Sequence, residues 1–188
     1  MPNKETDRLV TERLVLECPT IDMGTRILAY RELNRGHLRQ WEPTRANEFY
    51  TIQAVEDHVR RMQSQVVDRS ALYWLIRAHD SEKIIGECGF TNIMRGPFQA
   101  CHLGFSLGSE YQGMGLMHEA LIAAISHIFE IHKLHRIMAN YQPSNHRSEK
   151  LLSRLGFERE GLARKYLKIN GCWTDHVLTS LINPAEIS

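Results

Sequence analysis

The period of the apolar residues changes along the chain, and each change marks an element. The short run Arg13-Leu14-Val15-Leu16-Glu17, closed by Pro19, predicts a first strand. Asp22 offers an N-cap for a helix reaching about Asn34. Residues 36–50, with Trp41, Pro43 and Asn47, keep no period and read as a loop or a short helix. Thr51 then opens a helix to about Asp68, because Val55, Val59, Met62 and Val66 recur at helical spacing. Strands are predicted over 72–77 and 84–92 around the Asp80-Ser81-Glu82-Lys83 turn. A further strand over 101–107 follows the Arg95-Gly96-Pro97 break. The strongest helical pattern runs over 116–131, with Met117, Leu121, Ala124 and Ile128 as its buried stripe. After a strand over 136–141, Pro143-Ser144-Asn145 supplies a turn and an N-cap. The next helix turns Leu151, Leu152 and Leu155 inward and stops at Gly156. Strands over 158–169 and 172–181 form a hairpin about Asn170-Gly171, a type I′ pair. The order β-α-α-β-β-β-α-β-α-β-β predicts a single mixed-sheet α/β (α+β) domain over residues 1–188, without repeats or linkers. Only the unit over 101–141 demands a parallel crossover.

That unit carries the most informative residues of the chain, Glu110-Tyr111-Gln112-Gly113-Met114-Gly115-Leu116-Met117, between a strand and a helix. A helix N-terminus presents unpaired N–H groups and the positive end of the helix dipole, which together favour an anion. Gly113 and Gly115, without Cβ atoms, let the backbone close on a phosphate. A P-loop would need Lys-Ser or Lys-Thr after the second glycine, and a dinucleotide fingerprint a third glycine. Neither is present. A turn with glycines for steric reasons alone stays open at this level.

Composition narrows the classes. A chain of 188 residues with 43% hydrophobic and 24% charged residues can bury one sizeable core. A formal net charge of +1, with Lys and Arg dispersed, gives no footprint for direct nucleic-acid binding. Cys18, Cys88, Cys101 and Cys172 have no metal-like or redox-like spacing and read as free thiols of a reducing compartment. His132-Lys133-Leu134-His135 is the tightest histidine pair, and without a nearby Cys or carboxylate it gives no metal site. Residues 1–8 are polar, with no apolar stretch of a signal peptide, and no run approaches a membrane span. A cytoplasmic protein with no membrane partner is expected.

The loop, with Gln112 and Gly115 in place, resembles the pyrophosphate loop of the GNAT acyl-CoA N-acyltransferases. Asn145-x-x-Ser148, followed by Leu151-Leu152 and Leu155-Gly156-Phe157, is similar to the helix after the fifth strand in that superfamily. The departure is Met117, where the superfamily usually has Gly or Ala. Thr11-Glu12-Arg13-Leu14-Val15-Leu16, Trp41-Glu42-Pro43, His135-Arg136-Ile137-Met138-Ala139-Asn140-Tyr141 and Trp173-Thr174-Asp175-His176 resemble one branch of it. That branch is the bacterial ribosomal-protein alanine N-acetyltransferases, nearest to those acting on the fifth small-subunit protein. The likeness extends over nearly the whole chain.

The resemblance implies a GNAT fold whose mixed sheet splays between its fourth and fifth predicted strands, with acetyl-CoA as cosubstrate and no metal. Backbone groups of Phe105, Ser106 and Leu107 would pair with the pantetheine arm. Gln112, Gly113, Met114, Gly115, Leu116 and Met117 would hold the pyrophosphate, with Asn145 as a further cofactor contact. Core packing for Phe105 and Leu107, and helix capping for Asn145 and Ser148, are the plainer alternatives. Ser148 is the expected proton donor to the departing thiolate. Trp41 and Glu42 are expected at the acceptor amine, Glu42 as base or counter-charge, with Glu87 and His102 in reserve. The implied acceptor is the N-terminal alanine of a ribosomal protein, attacked directly in a ternary complex, since no cysteine sits beside a base. An acetyltransferase of a small amine, and an acyl-CoA-binding module without chemistry, are the alternatives.

Overall fold

A computed structural model describes residues 8–186, so the expectation for residues 1–7 lies outside the described residues. Eight strands form one sheet: β1 (Leu9–Val10), β2 (Leu14–Glu17), β3 (Leu72–Ala78), β4 (Ile84–Met94), β5 (Ala100–Leu107), β6 (Arg136–Tyr141), β7 (Glu158–Ile169) and β8 (Cys172–Ile182). Their spatial order is β1-β2-β3-β4-β5-β6-β8-β7. The helices are α1 (Gly24–Leu38), α2 (Ile52–Val67), α3 (Leu116–Glu130) and α4 (His146–Arg154). Every predicted strand and helix forms. The short β1, paired antiparallel with β2, is additional. The fourth and fifth predicted strands are therefore β5 and β6.

Strand alternation sends side chains to two unequal cores. Leu14, Leu16, Trp74, Ile76, Phe90 and Leu103 meet Met117, Leu121, Ile128 and Leu152 of α3 and α4 on one face. Leu75 and Ile84 meet Ile27, Tyr30, Val55 and Val59 of α1 and α2 on the other. In β3 alone, Trp74 and Ile76 go to the first core and Leu75 to the second.

Two boundaries depart from the pattern. Asp22 lies inside a 3-10 turn over Ile21–Met23 instead of capping, and α1 begins only at Gly24. The helix then runs past Asn34 to Leu38. Asn34 is buried there, donating from Nδ2 to the Tyr30 carbonyl at 2.9 Å and accepting from the Ser109 amide at 3.2 Å. A polar residue that read as a helix end is a buried tie between α1 and the segment after β5. Thr51 and Asn145 cap as expected, accepting from the Ala54 and Ser148 amides. Gly156 (φ +87°) ends α4, and Asn170 (φ +44°) with Gly171 (φ +82°) makes the predicted hairpin turn.

The feature that positions the site is the join of β5 and β6. They run parallel and pair only at Ala100–Arg136, Cys101–Ile137 and His102–Met138. From Leu103 to Leu107, β5 pairs with β4 alone. Beyond its paired stretch β6 continues against β8, as far as Tyr141–Val177. The sheet opens into a wedge on one side of which β5 presents an unpaired backbone edge.

Candidate active site

The wedge is closed at its outer end by the glycine loop. A 3-10 turn over Ser109–Tyr111 leads into Gly113 (φ +80°) and Gly115 (φ +76°), the latter directly before α3. Both lie in the left-handed region that favours glycine. A Cβ on Gly113 would project into open space, as a loop wrapped about a ligand requires. The first turn of α3 directs its amides to the same place. Met114 is 57% exposed, whereas Leu116 and Met117 are buried in the larger core. The bulk of Met117, where Gly or Ala is usual, thus points away from the loop.

Two cations brace this loop. Arg13 donates to the Met114 carbonyl at 3.0 Å and pairs with Glu119 of α3 at 2.7 Å. Partial burial works against it, yet hydrogen bonds from Thr11 and Arg13 hold Glu119 below the usual carboxylate range. The side chain of Gln112 is fixed at both ends: Nε2 lies 2.8 Å from His37 Nε2, and Arg147 of α4 donates to Oε1. Since arginine only donates, the Gln112 carbonyl oxygen accepts from Arg147 and its amide group is directed to His37. Gln112 serves the loop as a strut between α1 and α4, and its amide donates to the Ser109 carbonyl at 3.4 Å.

At its inner end the wedge opens onto a cleft of about 310 Å³ on the α1–α2 face of the sheet. Glu42, Arg45, His58, Tyr73, Glu87, Gly104, Phe105 and Ser106 help to line it. Glu87 faces Ser106 across the β4–β5 ladder, and the Ser106 hydroxyl lies 2.8 Å from the Tyr30 hydroxyl. Burial raises the pKa of Glu87, opposed by Arg31, Arg45 and the Ser106 hydroxyl. Burial also raises that of Glu42; the charge of Glu87 adds to this, while Arg45 (4.0 Å) and Arg31 oppose it. His58 is held neutral, pushed down to about 4 by burial and by Arg31, Arg61 and Arg45. Its Nδ1 accepts from Arg31 at 2.9 Å. The Phe49 ring lies between the guanidinium groups of Arg31 (4.4 Å) and Arg45 (4.6 Å), fixing the loop that carries Glu42.

The structure thus brings Glu42 and its reserve Glu87 to one cleft. Trp41 is half-buried beside Glu42 but does not line it. His102 faces Thr91 on the same sheet face, with Nδ1 buried and lacking a hydrogen-bond partner among the described residues. Ser148, part-buried in the first turn of α4, gives its amide to the Asn145 cap at 3.1 Å and keeps its hydroxyl free of that bond. Among the described residues no two cysteines form a disulfide. Burial raises the thiol pKa of Cys88 and pushes that of Cys101 up to about 12, so neither is an activated nucleophile. The sequence reading missed Arg13, Tyr30, Arg31 and Arg147. Only Arg13 carried a signal, through the N-terminal resemblance; the others are helix residues whose partners lie far away in sequence.

Residues 13–158 match the acetyltransferase (GNAT) domain family. The chain belongs to the GNAT acetyltransferases. The [ribosomal protein uS5]-alanine N-acetyltransferase of Escherichia coli is 44% identical over 177 residues, covering 94% of this chain and 91% of that one. The crystal structure of the ribosomal-protein-S5-alanine acetyltransferase of Vibrio fischeri superposes with a TM-score of 0.90 at 40% identity, over 94% of this chain and 97% of that one. Mycobacterium smegmatis RimJ in complex with CoA-disulfide shares the fold, with a TM-score of 0.87 at 23% identity, over 93% and 84% of the two chains.

In this GNAT enzyme Glu87 should cost stability at neutral pH. Its folded pKa is raised, so the folded state holds its proton more tightly than the unfolded chain, and stability falls as pH rises from the unfolded value near 4.3 through the folded one. Glu87→Gln should raise the melting temperature at pH 7.5 and flatten its decline between pH 5 and 7.5. An unchanged pH dependence of melting would show that Glu87 ionises freely in the folded protein.

Proposed function

We infer that this protein is an acetyl-CoA-dependent N-acetyltransferase acting on the N-terminal alanine of ribosomal protein uS5. The observation that carries the reading is the unpaired edge of β5 from Leu103 to Leu107, which runs from the glycine loop to the carboxylate-lined cleft. Similarity to uS5-alanine acetyltransferases over 94% of the chain supports the acceptor. The whole chain works as one catalytic unit in the cytoplasm; among the described residues, no helix is long and apolar enough to cross a membrane.

When bound, acetyl-CoA supplies an acetyl group activated as a thioester. The loop from Gln112 to Met117 binds its pyrophosphate with backbone amides, and Phe105, Ser106 and Leu107 offer main-chain groups to the pantetheine. Asn145 caps α4 with Oδ1, leaving its Nδ2 donors for the cofactor. Glu42 and Glu87 receive the acceptor ammonium, and Glu42, on the more open side, takes its proton as the amine attacks. Ser148 donates a proton to the departing sulfur. The raised pKa of Glu42 brings it nearer to that of the amine it deprotonates. A carboxylate suffices because the acceptor is an α-amine. Freeing the base at neutral pH costs about 1–1.4 kcal/mol for an α-amine of pKa about 7.7–8.0, but about 4.6 kcal/mol for a lysine.

Three measurements test this. Ser148→Ala should lower kcat roughly tenfold or more while changing the KM for acetyl-CoA little. The Asn145 cap uses the main-chain amide of residue 148, so the alanine variant keeps it. Full kcat in a variant with native-like melting would reduce Ser148 to a helix residue. Of two peptides, one with a free N-terminal Ala and no Lys, the other N-terminally blocked with one Lys, the first should carry nearly all the kcat/KM. Equal use of both would overturn the α-amine assignment. Mass spectrometry of ribosomal proteins from a deletion strain should show uS5 lighter by one acetyl group. An unchanged spectrum would point to a small-amine acceptor.

A further inference from the structure

The glycine loop has no charged side chain of its own between Gln112 and Met117. Three cations surround it, in different states. Arg13 is neutralised by Glu119, and Lys83 is paired with Glu110 at 3.1 Å. Arg147 instead donates to the neutral amide of Gln112, and among the described residues no carboxylate lies within ion-pair distance of it. It is also poorly placed for its own helix. As the second residue of α4 it sits at the positive end of the helix dipole, where an anionic side chain is favoured and a cation is opposed. A cation held on the glycine loop by a neutral partner gains most when an anion enters that loop.

We propose that Arg147 is a pyrophosphate arm, held at the glycine loop through Gln112 and donating to the pyrophosphate of CoA when the cofactor binds. The Gln112 side chain is the anchor that keeps Arg147 at the loop. Its link to His37 holds it in place whether or not Arg147 is attached. Because Ser148 is the next residue, anchoring Arg147 on the phosphate also fixes the turn that carries the proton donor. Arg147 is thereby a binding residue with a positioning effect on catalysis. The proposal rests on the reading of the loop as a CoA site.

Calorimetry on the full chain with CoA and with dephospho-CoA separates the outcomes. A charge-assisted contact of this kind corresponds to roughly a tenfold change or more in Kd. Arg147→Gln should weaken both ligands by about that factor, with the ligand-free melting temperature unchanged and with a shallower dependence of Kd on salt. Arg147→Lys, which keeps the charge without the planar fork, should recover most of the affinity at low salt. A CoA Kd within about twofold of the wild type in Arg147→Gln would overturn the proposal. A loss confined to CoA, with dephospho-CoA unaffected, would assign Arg147 to the 3′-phosphate and overturn it too. A wild-type protein that binds neither ligand would instead overturn the CoA reading of the loop, a failure distinguishable from the other two.

Discussion

Everything in this enzyme depends on β5 and β6 ceasing to pair after His102. A parallel pair held over its full length would leave no unsatisfied main chain inside the sheet, and no slot. Here the pairing is confined to Ala100, Cys101 and His102, and the rest of β5 keeps only its β4 partner. Unpaired N–H and C=O groups within a sheet are costly unless something bonds to them. An extended ligand with amide groups removes that cost while it is bound. The wedge persists because each lip belongs to another ladder: β5 to the long β4, β6 to β8.

The wedge also joins two half-sites that the sheet would otherwise separate. The glycine loop opens α3, whose side chains pack on the α3–α4 face, and the carboxylate cleft lies on the α1–α2 face. Along β5, Leu103, Phe105 and Leu107 pack toward the first while Gly104 and Ser106 line the second. One strand thus combines an unpaired backbone edge with side chains that alternate between core and cleft. Gly104 has open space where a Cβ would stand, so a side chain there would enter the passage between the halves. The two carboxylates on the acceptor side disfavour each other's charge, and Arg31 and Arg45 limit that penalty. An incoming ammonium compensates both at once, which suits a charged amine better than a neutral acceptor.

Much of this was legible from the residues. Periodicity located α2 and α3, because the valines of α2 and the apolar stripe of α3 repeat over several turns, whereas capping and turn residues located α1 and α4. The glycine loop was legible because left-handed backbone at Gly113 and Gly115 leaves few residue choices. Position within the site was less legible. Asn34 looked like a helix end because buried polar side chains satisfied by distant partners, here Tyr30 and Ser109, have no local signature. The partners of the Gln112 side chain were not legible, because His37 and Arg147 come from helices on either side of it in the chain. Glu42 and Glu87 stood as alternatives in sequence, whereas the fold places them together.

The C-terminal hairpin holds the segment that carries Glu42. The segment between α1 and α2 contains no buried residue from Pro43 to Tyr50, so apolar packing alone cannot fix it. Its position is set instead by polar ties from the far end of the chain. The Asn170 amide donates to the Glu42 carbonyl at 2.9 Å, Arg39 donates to the Asn170 side chain at 3.1 Å, and Gln142 donates to the Gln40 carbonyl at 3.0 Å. The left-handed turn at Asn170-Gly171 is what brings that amide to the loop, and the Phe49 stack holds the other end. The β7–β8 hairpin therefore does more than extend the sheet. It carries the constraint that brings a carboxylate from an irregular loop to the cleft lined by Glu87 and the unpaired stretch of β5.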